Sequence, residues 1–375
     1  MMVAQIEKTL LFLLTLSVLI VLHELGHFIL ARRNGVRVNE FAMGFGPKLL
    51  KWTSKRSGTT YALNLFPIGG YCAMQGEDGK SSEAEQQRKA QAEGLTHYEQ
   101  DNFQAKSVWQ RLAIIVAGPA ANFLLAFVIL FVAAFFFGVA DLKAQQSIVG
   151  PLTQGYPAQK SGLQTGDRLI AINGKSAAGG KQFVDIIHAS RGKTLALTYS
   201  HDGRVRTIPI TPIRCPAETG HPEQGCIGFA PIPVFQRAGF GEAMSTAAFG
   251  VVDLTRQTAT RILLMIRHPR QYAGSVTGPI GISRAAAVVQ DFGWAPYLNL
   301  AAIISLSLGF FNLLPIPALD GGRAAFIVAE LLRGKPVAPE KEALVHFAGF
   351  AVLMLLMIAV AYHDVANIVA GKGVF

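Results

Sequence analysis

The hydrophobic positions of this 375-residue chain are concentrated in four long runs that carry almost no charge. These runs cover residues 9–30, 112–140, 293–319 and 343–362. A helix of about 20 apolar residues crosses the hydrocarbon core of a bilayer. The pattern therefore predicts a polytopic α-helical membrane protein with about four transmembrane helices.

After the first run, the pattern changes to the alternation that is typical of β-strands. Residues 61–74 alternate around a Pro67-Ile68-Gly69-Gly70 turn, which predicts a short β-hairpin beside the first helix. An exposed strand edge at this place could pair with an extended peptide. Residues 76–101 lack aliphatic periodicity, so we expect an exposed linker there.

The segment between the second and third runs has the pattern of a small α/β domain. It contains the string GLQTGDRLIAING at 162–174, a helix-like stretch at 182–190 and two strands within 194–210. The string resembles a PDZ domain, a fold that binds extended peptides or carboxyl termini. A structural spacer is the alternative. Residues 240–265 are a mixed apolar and polar helical stretch, which we expect to lie along the outer membrane surface.

These patterns divide the chain into eight segments. They are the first transmembrane helix (1–31), a cytoplasmic hairpin and linker (32–109), the second transmembrane helix (110–140), an external PDZ domain (141–235), an external amphipathic segment (236–292), the third transmembrane helix (293–322), a cytoplasmic loop (323–342) and the fourth transmembrane helix with a C-terminal tail (343–375).

Composition agrees with a membrane protein, since 51% of the residues are hydrophobic and 15% are charged. The net charge of +10 does not indicate nucleic acid, because the basic residues form no patch interleaved with aromatic residues. They are instead concentrated at 32–56 and 323–341, and short loops rich in Lys and Arg lie in the cytoplasm. We therefore expect both termini and residues 141–292 on the external side.

The first apolar run contains the sequence His23-Glu24-Leu25-Gly26-His27. Ionisable residues inside a membrane are costly and are functional by default. The i, i+4 spacing of His23 and His27 places both imidazoles on one helix face, where they can hold Zn²⁺. In such HExxH sites the glutamate, here Glu24, is the general base rather than a ligand.

A catalytic zinc takes three protein ligands and keeps a position for water. Asp320 is the best candidate for the third ligand, because it follows Pro315 and Pro317 at the end of the third apolar run. The two prolines interrupt helical hydrogen bonding, and a broken helix can direct a carboxylate inward. Taken alone, Asp320 could equally cap a helix at the membrane surface.

The three cysteines are divided between the two sides of the membrane. Cys215 and Cys226 flank a loop in the external segment, where oxidation is expected, and we favour a disulfide between them. A zinc site that adds His221 is the competing interpretation, although it lacks one ligand. Cys72 lies on the reducing side.

Several strings together resemble the site-2 protease family of intramembrane metalloproteases. They are HELGH at 23–27, AGPAANF at 117–123, GPIGI at 278–282 and NLLPIPALDGG at 312–322. With the PDZ-like insert, they match the bacterial branch that includes the regulator of sigma-E protease. The best-known branch members carry two tandem PDZ domains, whereas this insert has room for one.

The resemblance implies a role for each matching residue. His23, His27 and Asp320 would bind one Zn²⁺ per chain, and Glu24 would be the base. Asn312 would lie near the substrate, and Gly69 and Gly70 would belong to a membrane-associated hairpin that contacts it. Structural roles would fall to Gly118, Pro119, Asn122, Pro315, Pro317 and Gly321.

The resulting prediction is a zinc endopeptidase in the bacterial inner membrane, with its termini and PDZ domain on the periplasmic side. Its partners would be the lipid bilayer, membrane-protein substrates with a single transmembrane helix, and a peptide ligand of the PDZ domain. A membrane-bound anti-sigma factor or a remnant signal peptide would be such a substrate. A PDZ-bearing scaffold or chaperone without proteolysis, or a metal transporter, is the alternative.

Overall fold

The structure is a computed structural model. It describes residues 2–77, 100–140, 147–150, 152–153, 155–176, 181–215, 223–229, 231–233, 235–268, 278–335, 337 and 339–369. The fold class predicted from the sequence is confirmed, since long apolar helices are combined with an inserted α/β domain and a β-hairpin. Most of the predicted linker, residues 78–99, and His221 lie outside the described residues.

The helices are α1 (Met2–Arg33), α2 (Val108–Val132), α3 (Pro157–Lys160), α4 (Lys181–Ala189), α5 (Phe240–Arg267), α6 (Pro279–Gln290), α7 (Trp294–Leu313), α8 (Asp320–Arg333) and α9 (Pro339–Val369). The strands are β1 (Val38–Thr53), β2 (Thr60–Met74), β3 (Val139–Ala140), β4 (Ser147–Val149), β5 (Arg168–Ile172), β6 (Lys175–Ser176), β7 (Leu195–His201), β8 (Arg204–Ile210), β9 (Ile213–Arg214), β10 (Gly225–Cys226), β11 (Pro231–Pro233) and β12 (Phe235–Gln236).

Within the described part of the chain, four helical segments are long and apolar enough to cross a membrane. They are Ile6–Arg33, Val108–Phe137, Trp294–Leu313 and Lys341–Ala366. The third helix ends at Leu313, nine residues before the expected end of its segment, because the following Pro315 and Pro317 have no N–H to continue it. A separate helix, α8, then starts at Asp320.

The hairpin of β1 and β2 has its turn between Thr53 and Thr60, and the predicted turn at Pro67–Gly70 instead lies inside β2. Gly69 has a φ of +91°, which fits an irregularity in a strand. Residues 40–43 of β1 have partners on both sides, residues 70–73 and residues 60–63 of β2. Residues 70–74 therefore form an outer row of this small sheet, next to α1.

The contacts between residues divide the chain into two compact units. The first consists of residues 1–131, 247–259 and 277–375, and it contains the hairpin and most of the apolar helices. In this unit α6 packs on the N-terminal half of α1, where Phe12 is buried with Ala286 and Tyr297. The N-terminus of α6 is bonded to α9, because the buried Asp364 accepts hydrogen bonds from Gly278 N–H (3.1 Å) and Gly281 N–H (2.9 Å).

The second unit, residues 132–246 and 260–276, contains the inserted domain. Its main sheet has the order β11-β4-β5-β7-β8, with β6 beside β5, and the neighbouring strands are antiparallel. The apolar faces of this sheet and of α4 form one core around Phe183, Leu169 and Leu197. In the structure Cys215 and Cys226 are joined by a disulfide beside this core.

Candidate metal centre

Three side chains from distant parts of the chain converge on one point. His23 and His27 lie one turn apart on α1, and their Nε2 atoms are 3.2 Å apart. Asp320, the first residue of α8, brings its Oδ2 to 3.0 Å from His23 Nε2 and 3.4 Å from His27 Nε2. Both imidazoles are buried. The structure thus brings together the three predicted ligands, although 297 positions separate His23 from Asp320.

The spacing of these atoms fits a tetrahedral zinc ion. Zinc bonds of about 2.0–2.1 Å in a tetrahedron require ligand atoms about 3.3 Å apart. The three separations of 3.0, 3.2 and 3.4 Å lie close to that value. Two imidazole nitrogens and a carboxylate oxygen are also a donor set that zinc prefers. The residues therefore fit a zinc ion. They would occupy three of its four tetrahedral positions.

Hydrogen bonds on the far side of each imidazole keep Nε2 available for a metal. His27 Nδ1–H donates to the carbonyl of Ile114 on α2, at 2.9 Å. His23 Nδ1 lies 3.1 Å from the side-chain amide of the fully buried Asn122. A ring that uses Nε2 for a metal carries its proton on Nδ1, so the amide of Asn122 has to present its oxygen there. The hydroxyl of Ser305 on α7 holds the same residue by donating to the backbone carbonyl of Asn122, at 2.9 Å.

Close backbone packing sets the position of the helices that carry the ligands. Gly118 on α2 lies directly against the His27 ring, so that a Cβ at this position would meet Cε1 at 2.5 Å. Gly26 on α1 faces the carbonyl of Ala117 in the same way. Pro119, inside α2, lies beside Gly309 on α7. Glycines are needed where two helix backbones approach this closely.

Glu24 lines a cavity of about 550 Å³ together with His27 and Asp320. The outer row of the β-sheet forms another wall through residues 71–74, and Gly70 allows this row to approach the Cγ of Glu24. The cavity thus combines two of the three ligands, a carboxylate that does not belong to the ligand cluster, and the edge of a strand. This is the arrangement expected of a metal-dependent hydrolase site.

The remaining predicted residues have different positions. Gly321 and Gly322 pack against the carbonyls of residues 313–316, and this tight turn directs Asp320 toward α1. Asn312 lies in the last turn of α7, half-buried, and does not line the cavity described above. Gly69 contacts Phe45 in the hairpin rather than any of the three ligands.

Three charged or ionisable residues of the cavity lining were not predicted from the sequence. Arg323 forms an ion pair with Glu77, and both side chains line the cavity. His346 of α9 also lines it and accepts a hydrogen bond from the N–H of Ala318, at 2.9 Å. A signal for His346 was present, because it is an ionisable residue inside an apolar run.

Among the described residues, a second group of potential metal ligands is formed by His188, Cys215 and Cys226. The two sulfurs are joined in the disulfide, which removes their thiolates as ligands.

Comparison with known proteins agrees with this chemistry. The model of Peptidase family M50 matches residues 11–356. The chain is 31% identical, over an alignment 432 positions long including gaps, to the zinc metalloprotease RasP of Geobacillus kaustophilus, and the alignment covers 97% of this chain and 99% of that protein. It is 30% identical to the regulator of sigma-W protease RasP of Bacillus subtilis, covering 95% of this chain and 98% of that protein.

A solved structure, the PDZ domain of an SdrC-like protein from Listeria monocytogenes, is 24% identical and covers 23% of this chain and 86% of that domain, with a TM-score of 0.21. The family assignment rests on the matches that run through nearly the whole chain. This multi-pass bacterial membrane protein is a zinc metalloendopeptidase and belongs to peptidase family M50.

Proposed function

We propose that the protein cleaves peptide bonds within transmembrane segments of single-span membrane proteins, with one zinc ion per chain held by His23, His27 and Asp320. The observation that carries this proposal is the convergence of the three ligand atoms, two of them from a helix of membrane-spanning length, beside a cavity that Glu24 lines. The membrane is the bacterial inner membrane, and the inserted domain lies on its periplasmic side.

The chemistry follows from the positions of the side chains around the cavity. Zinc, when bound, polarises a carbonyl and lowers the pKa of a coordinated water to about 7. Glu24 follows His23 in the chain and lines the cavity without belonging to the ligand cluster, so it can accept a proton there. The buried surroundings exclude bulk water from the two imidazoles.

A helical substrate has to unwind before its carbonyls can be attacked, because helical hydrogen bonds occupy them. The outer row of the hairpin sheet, residues 70–74, offers a place where an unwound segment can be held. Residues 70–74 pair with β1 on one side, and the described residues supply no strand for the other side. An unwound substrate segment could add a strand at this edge and be held beside Glu24.

The class of substrate is inferred from a relative. The Bacillus subtilis protein is described as a regulator of sigma-W protease. We extend this to the present chain and propose that it acts in regulated intramembrane proteolysis, on a membrane-bound anti-sigma factor or a remnant signal peptide. The inserted domain would admit substrates already shortened on the external side.

The proposal is tested with Glu24→Gln in the purified full-length protein, using a single-span reporter in liposomes. An amide keeps the shape of the side chain but cannot accept the proton, so cleavage should fall about 10²–10⁴-fold while zinc stays bound. Glu7→Gln, the same change at an exposed position of α1, is the matched control and should cleave normally. Near-normal cleavage by Glu24→Gln would contradict the proposed mechanism.

A further inference from the structure

The loop that delivers Asp320, residues 314–319, is held partly by its own stretch of chain and partly from outside. Leu314 N–H donates to Phe311, Ile316 N–H donates to Leu314 and Leu319 N–H donates to Ile316. Pro315 and Pro317 have no N–H. The one remaining N–H, that of Ala318, donates outside the loop, so this contact helps to fix the position of Asp320.

Ala318 is the most constrained residue of the loop. Its φ is +76°, a conformation that a residue with a Cβ rarely adopts, and it lies two residues before Asp320. Such a conformation persists only where the surroundings hold it. The hydrogen bond that its N–H donates goes to His346 of α9, at 2.9 Å, rather than to another part of the loop.

His346 is suited to this contact in one tautomer. Since Nδ1 accepts from Ala318, the neutral ring carries its proton on Nε2, and Nε2 has no hydrogen-bond partner in the described part of the chain. The ring also packs on Phe326 of α8, with centroids 5.6 Å apart. Its nitrogens do not belong to the cluster of ligand atoms formed by His23, His27 and Asp320.

A second residue of α9 contacts the same loop one helical turn later. A Cβ on Gly349 would lie 2.8 Å from the carbonyl oxygen of Pro317 and 2.9 Å from its carbonyl carbon. The glycine therefore lets the backbone of α9 approach the loop closely enough for His346 to reach Ala318. Residues i and i+3 share a helix face, so the two contacts act together.

We propose that α9 holds the third zinc ligand in place, with His346 and Gly349 as positioning residues for the loop that ends at Asp320. This rests on the proposed function, in which Asp320 binds zinc. His346 acts through the backbone of Ala318 and not on the substrate. The fourth apolar helix would then be part of the metal centre, although it supplies no ligand.

The test measures zinc affinity of the full-length protein in detergent by competition with a chelator, and the absorption spectrum of the cobalt-substituted protein. His346→Ala and Gly349→Ala should each weaken zinc binding about 10- to 100-fold, as expected for groups that orient a ligand, and should change the cobalt bands. Leu344→Ala, on an exposed position of α9, is the control and should match the wild-type protein.

Two further variants keep the test valid if the alanine variants fail to fold. Asparagine places an oxygen where Nδ1 lies, so His346→Asn should restore affinity to within about threefold of wild type, whereas His346→Gln places its oxygen at Nε2 and should not. Equal zinc affinity and equal cobalt spectra for His346→Asn and His346→Gln would overturn the positioning role. A wild-type protein that binds no zinc would overturn the proposed metal site together with it.

Discussion

Substitution of Gly118 by alanine should displace the zinc ligand His27 although His27 itself is unchanged. The new Cβ would lie 2.5 Å from His27 Cε1 and 2.7 Å from Cδ2, whereas ordinary carbon contacts begin near 3.4 Å. The ring or the whole helix α2 must therefore move by about 1 Å. Zinc sites tolerate only about 0.2 Å in ligand distance, so the movement is about five times the tolerance.

We expect Gly118→Ala to bind zinc at least about tenfold more weakly, which corresponds to about 1.4 kcal/mol, and to lose most cleavage. The assay is a chelator competition with the purified protein, accompanied by thermal unfolding to establish that the variant is folded. Gly241→Ala is the matched control, because a Cβ on Gly241 meets nothing within 4 Å. If Gly118→Ala binds zinc and cleaves as the wild type does, the close packing of α2 on His27 is wrong.

The other predictions concern separate parts of the chain. Asp320→Ala should lose most of its zinc affinity, since it leaves two histidine ligands, and stoichiometric zinc of unaltered affinity in this variant would refute the assignment. Deletion of residues 147–233 should leave cleavage of short membrane substrates intact but remove discrimination against substrates with large external domains. If the deletion variant and the intact protein discriminate equally in the same assay, the domain is a spacer. In intact membranes, Cys215 and Cys226 should react with a thiol reagent only after reduction. Cys72 should react slowly until the protein unfolds, because its burial, and then the nearby carboxylates of Glu24 and Glu77, raise the pKa of its thiol. Rapid labelling of Cys72 in the folded protein would contradict this.

The sequence was sufficient to predict the parts of the site that depend on local spacing. His23 and His27 are one helical turn apart, and any helix through them brings the two rings together. The approach of Asp320 was predictable only in outline, from two prolines that interrupt an apolar run and from the family resemblance. The distances within the cluster required the packing of α1, α2 and α8, which no local pattern encodes.

Other features depended on tertiary contacts and were missed or misplaced. His346 was overlooked because it lies in a run whose average is strongly apolar, and its partner is the backbone of a loop 28 positions earlier. Gly69 and Gly70 resembled a turn, but the positive φ of Gly69 serves an irregularity inside β2. The expectation from the resemblance that Asn312 lies near the substrate stays a prediction; in the structure Asn312 lies in the last turn of α7, outside the lining of this cavity.

The long separation between His23 and Asp320 also sets the time at which the enzyme becomes active during synthesis. Ribosomes add about 5–20 residues per second, so the 297 positions correspond to roughly 15 to 60 s between synthesis of the first ligand and synthesis of the third. During that interval the growing chain carries His23 and His27 without Asp320. Because a catalytic zinc takes three protein ligands, proteolysis begins only after the last ligand has been made and packed.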